Sequence, residues 1–76
     1  MKGSIWLKTN IPALKVIRMT SGMSQRELAH RANLAHTTIL RIEKGERNAS
    51  PKTGKKIAEA LGVPMQAIFF IQQCAE

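Results

Sequence analysis

The chain has 76 residues, room for one domain near the lower size at which a hydrophobic core holds without staples. Its one cysteine, Cys74, excludes an intrachain disulfide, so the fold must rest on apolar burial and suits a reducing compartment; Cys74 itself reads as inert. Twelve Lys and Arg against five Asp and Glu give a net charge of +7, with no acidic side chain before Glu27, which favours a polyanionic partner.

Residues 1–9 read as an N-terminal extension too polar for a core helix, with Trp6 either packed back on the bundle or lying disordered. Gly22, Asn33, Gly45, Ser50-Pro51 and Gly62 to Pro64 then divide the chain into five short helical pieces. The first runs from about Asn10 to Thr20, with Ile11, Leu14 and Ile17 at helical spacing and Pro12 tolerated in the first turn. Ser24-Gln25-Arg26-Glu27 is a capping box opening a second helix, whose apolar face is Leu28, Ala29 and Ala32 and whose stop is Asn33, a residue that visits left-handed backbone. The third segment, Ala35 to Lys44, turns Ile39 and Ile42 inward and leaves His36, Thr37, Arg41 and Lys44 to point elsewhere before Gly45 closes it. Ser50 caps the fourth, Pro51 takes its first position, Ile57, Ala58 and Leu61 are its core face, and Gly62 ends it. Gly54 inside that helix costs about 1 kcal/mol relative to alanine.

A fifth short helix is expected from Pro64, carrying Met65, Ile68, Phe69 and Ile71. Met19, Met23 and Met65 read as core fillers. On such a helix Phe69, Phe70 and Ile71 span consecutive directions, so one small domain does not readily bury all three. A partner surface formed by Ile68, Phe70 and Ile71 is the natural expectation; the plainer alternative puts Phe69 in the core and covers the others loosely.

Two short helices joined by a tight turn, the second polar on its outward face, let one helix cross a phosphate backbone while the other enters the major groove. The run SQRELAHRANLAHTTILRIEKG, Ser24 to Gly45, resembles the helix-turn-helix of the Cro and phage-repressor (XRE-like) family. Arg18, Ser24, Gln25, Leu28, Ala29, Leu34, Ile39, Glu43 and Gly45 match in register, as do Pro51 and the Ile57 to Val63 run, so the similarity covers about 10–70. Two positions depart from the pattern: the turn glycine is Asn33, and the usual Ser or Thr capping the recognition helix is Ala35, which forfeits about 1 kcal/mol of capping. The resemblance implies an all-α, compact five-helix, lambda-repressor-like DNA-binding domain spanning the chain.

It also implies roles. His36, Thr37 and Arg41 fall at the family's base-reading positions; Arg41 can offer a fork of donors to guanine, and Thr37 can meet a thymine methyl or hydrogen-bond a base edge. Alone, His36 would read as an ordinary surface histidine. Gln25 is implied as a phosphate contact at the N-terminus of the second helix, and Lys44, Arg47, Asn48 and Lys52 follow the recognition helix toward further phosphates. Arg18 and Glu43 match positions that form a structural ion pair between the first and third helices.

The leading expectation is therefore a sequence-specific regulator of transcription, a repressor that binds double-stranded DNA as a homodimer and needs no cofactor. The alternative is an antitoxin or bridging module that uses the same fold to hold a protein partner. Catalysis is not expected: the chain has no paired-carboxylate site, no nucleophile with a convergent base and no phosphate-cradling glycine loop. His30 has no second ligand at metal spacing, so no metal is expected, and Lys55-Lys56 reads as a solvated face. No stretch approaches the roughly 20 apolar residues of a spanning helix, and the opening MKGSIWLKTN lacks the apolar core of a signal peptide. The expected location is the cytoplasm.

Overall fold

The computed structural model describes the backbone of residues 4–74 and the side chains of residues 7–70. The first helix, α1 (Ile11–Thr20), starts where the Asn10 side-chain oxygen accepts a hydrogen bond from the Ala13 amide at 3.2 Å. In α2 (Gln25–Ala32) the Ser24 hydroxyl accepts from the Glu27 amide at 3.0 Å; the Glu27 carboxylate, expected to return to Ser24, instead takes Arg31 one turn on at 2.9 Å. Next come α3 (His36–Glu43) and α4 (Pro51–Leu61), the latter capped by Ser50, whose hydroxyl accepts from the Thr53 amide.

All four helices end alike. At Gly22, Asn33, Gly45 and Gly62 the backbone turns left-handed, and the residue after each reaches back to a carbonyl five positions earlier, as Leu34 does to Ala29 at 2.8 Å. Asn33, at φ 58°, is the one non-glycine residue among the described residues with positive φ. Its short polar side chain tolerates a conformation that would be costly for a bulky one.

The fifth helix does not form. After Pro64 there is one 3-10 turn, Met65–Ala67, and the chain then extends as a strand, Phe69–Cys74. Ile68, Phe69, Phe70 and Ile71 are branched and aromatic residues that favour extended backbone, and a strand sends successive side chains to opposite faces. That removes the problem of adjacent apolar residues: Phe69 is buried while Phe70 stays 56% exposed. The partner is the N-terminal extension, which forms β1 (Ser4–Thr9) and makes Phe69–Cys74 β2. The two pair antiparallel from Ser4 opposite Cys74 to Thr9 opposite Phe69, Trp6 standing opposite Gln72. On its other edge β1 bridges the α3–α4 loop, Leu7 donating to the Ala49 carbonyl at 2.9 Å and accepting from the Ala49 amide at 3.3 Å.

The core lies between the helices and this small sheet. Leu7, Leu14, Leu28, Ile39, Ile42, Ile57 and Ile68 are fully buried, each contributing about 1.5–3 kcal/mol relative to exposure. Two expectations change here. Ile68, expected at a partner surface, lies within the core at 0% exposure, because the chain turns there from the 3-10 turn into the sheet. Met19, expected as a core filler, is exposed, since five residues past Leu14 on a helix is roughly 140° round from the buried face; Met23 is buried and Met65 packs partly against the core. The side chains of Trp6, Ile71 and Cys74 lie outside the described residues.

Candidate nucleic-acid interface

The turn between α2 and α3 is short, from Asn33 to Ala35, and α2 packs directly on α3. Ile39 and Ile42 hold α3 to the core, which fixes the direction of everything on its far side. Thr37, Arg41 and Lys44 follow at i, i+4 and i+7, a single stripe within roughly 60° of arc, and all three are exposed. His36 sits about 100° round from Thr37 and is half-buried, on the flank of that stripe rather than on its crest.

One buried network locks this helix in place. Glu43, at the last turn of α3, is 2% exposed. Its carboxylate accepts from Arg18 Nε at 2.7 Å and Nη2 at 3.2 Å, a two-pronged contact from α1, while Arg18 Nη1 donates to the Met23 carbonyl at 2.9 Å. A third donor comes from α2: Gln25 Nε2 meets Glu43 Oε1 at 3.0 Å. Three helices thus converge on one carboxylate. Gln25, read from the sequence as a phosphate contact, is half-buried and spends one amide hydrogen here, keeping a second hydrogen and its carbonyl oxygen for another partner.

Lys44, Arg47, Asn48 and Lys52 are all exposed. Arg47 and Asn48 share a crevice of about 110 Å³ with Gly45, Lys8 and Thr9, floored by Ile42. Lys52, in the first turn of α4, does not line it. Lys8 and Thr9 carry no signal of a role in the sequence, because only the strand pairing brings residues 8 and 9 to the end of α3.

Ala35 occupies the N-cap of α3 in extended backbone, φ −69° and ψ 144°, with no side-chain cap bond. Neither Thr37 nor Thr38 supplies one; the Thr38 amide closes on the Ala35 carbonyl at 3.0 Å. Ala35→Ser should therefore stabilise the protein by about 1 kcal/mol, measured as a rise in the urea midpoint at constant slope; no rise would mean that α3 gains nothing from a cap.

Among the described residues no group of three or more His, Cys, Asp or Glu side chains converges to hold a metal, and no helix is long and apolar enough to cross a membrane.

The helix-turn-helix family model matches residues 14–68. The chain is 36% identical over 59 residues to an uncharacterised helix-turn-helix-type transcriptional regulator of Methanocaldococcus jannaschii, covering 78% of this chain and 89% of that one. It is 45% identical over 51 residues to control protein C.BamHI of Bacillus amyloliquefaciens, covering 66% of this chain and 63% of that one. Among solved structures, the restriction-modification controller protein C.AhdI from Aeromonas hydrophila superposes with a TM-score of 0.72 at 30% identity, over 75% of this chain and 86% of that one.

Proposed function

The chain belongs to the helix-turn-helix (XRE) family of DNA-binding transcriptional regulators, which are not enzymes, and from that premise we propose that it represses transcription by reading a duplex operator in the major groove with α3. The observation that carries this reading is the exposed Thr37, Arg41 and Lys44 stripe on a helix whose opposite face is fully buried and whose end is pinned by Glu43. A side chain discriminates bases only if its backbone is held still, and the network supplies that rigidity. In this reading Arg41 and Thr37 meet base edges, with His36 reaching in from the flank. Gln25, Lys44, Arg47, Asn48 and Lys52 neutralise or hydrogen-bond phosphates and so position the helix without specifying sequence. The amide hydrogen that Gln25 gives to Glu43 orients the rest of its amide, coupling a phosphate contact to the fold's own brace.

We further propose that the protein works in the cytoplasm as a twofold homodimer, with Phe70 on the outward face of β2 at the contact. The exposed Phe70 also favours a second reading, a module that holds another polypeptide. Selection from random duplex DNA at about 150 mM salt separates the two. The regulator enriches a palindrome with half-sites about 10 base pairs apart, and Arg41→Ala lowers its affinity for that site by about 1–3 kcal/mol while leaving affinity for random duplex nearly unchanged. Equal selectivity in the wild type and Arg41→Ala would overturn base reading by α3 and favour the polypeptide-holding module.

A further inference from the structure

The crevice at the end of α3 contains more than the loop residues that follow the recognition helix. β1 enters it from the other side. Its last two residues, Lys8 and Thr9, line it together with Arg47 and Asn48, and Lys8 is exposed. No acidic side chain is among the described residues that line it. Lys8, Arg47 and Asn48 all carry N–H donors suited to an anion.

We infer that Lys8 completes, with Arg47 and Asn48, a site for one phosphate of the duplex backbone, so that the N-terminal strand is part of the DNA interface. The inference rests on the reading of the chain as a duplex binder but not on its sequence selectivity. The strand is held on both sides, by β2 along one edge and by Ala49 at the other, so Lys8 is presented from fixed backbone. The ligand is an oxyanion, and a backbone phosphate is favoured over a free one because the crevice adjoins the C-terminal end of the exposed α3 stripe.

The test is the salt dependence of binding to a random-sequence duplex by the full chain. Lys8→Gln should reduce the slope of log affinity against log salt by about 0.9, the counterion release of one phosphate, and weaken binding roughly fivefold at about 0.15 M salt. Lys55→Gln, an exposed lysine of α4 outside the crevice, is the charge-matched comparison and should leave the slope unchanged. An unaltered slope in Lys8→Gln, or an equal change in Lys55→Gln, overturns the inference while leaving base reading by Arg41 intact. Amide shifts of Thr9 and Gly45 that saturate with inorganic phosphate below about 1 mM, together with an unaltered duplex slope, would mark a free-anion site and also overturn it. Failure of the wild type to bind any duplex would remove both this site and the proposed function.

Discussion

Arg18→Ala is expected to destabilise the protein by about 3–5 kcal/mol, because it leaves the Glu43 carboxylate buried with a single neutral donor, Gln25. The Glu43 side chain is 1% exposed and that of Arg18 12%, so water cannot replace the lost guanidinium without opening the junction of three helices. For a chain of this size, with total stability near the low end of the usual ~5–15 kcal/mol, such a loss leaves a substantial unfolded fraction at room temperature. The pair's net contribution is a different quantity. An Arg18→Met, Glu43→Leu double variant should recover most of the stability, since two desolvated charges have been exchanged for apolar groups of comparable size. Recovered stability should not bring full DNA affinity, because Gln25 then loses the oxygen that orients it. Urea denaturation of the wild type, the single variants and the double variant measures both parts; a single-variant loss below about 1 kcal/mol would show a pair screened like a surface one.

Leu7→Ala should cost about 2–5 kcal/mol. Leu7 is 2% exposed and is the side chain through which β1 enters the core, where it rests on the backbone of α4 at Gly54. A methyl added at Gly54 would collide with Leu7 Cδ1 and stand 3.3 Å from both Met65 Cε and Phe69 Cε2. The two positions are therefore complementary, and their variants should not add. In the wild-type background Gly54→Ala overpacks the strand–helix contact and costs about 1–3 kcal/mol. With Leu7→Ala already present, the new methyl enters the vacated space and the helix gains the ~1 kcal/mol by which alanine exceeds glycine in a helix interior. A sign change of Gly54→Ala between backgrounds, read from urea midpoints, is the expected result. The same penalty in both backgrounds would mean that Gly54 is needed for some reason other than Leu7.

Gly54 shows where sequence reasoning reaches its limit. Within α4 it is a local defect, a glycine where alanine would be better; across the fold it is the gap that admits a strand from the other end of the chain. The helices themselves were legible because their signals are local. Ser24 and Ser50 act within three residues, Asn33 and Gly62 within five, and Ile39 with Ile42 state a period that needs no knowledge of the rest. The Arg18 and Glu43 contact was legible by family resemblance, not by pattern, since nothing in a 25-residue separation signals an ion pair.

The amino-acid sequence by itself determined four helices, their caps and stops, the inward and outward faces of α3, and the strongly basic character that goes with a polyanionic partner. Only the tertiary structure decided the sheet, and with it the burial of Ile68, the exposure of Phe70, and the arrival of Lys8 and Thr9 beside Arg47. The reason is the separation of the strands: Thr9 and Phe69 pair across the whole helical body, with no hairpin turn between them to announce the pairing. Each strand alone is six residues of ambiguous pattern, and the apolar run at 68–71 is equally readable as a short helix until a second strand accepts its hydrogen bonds.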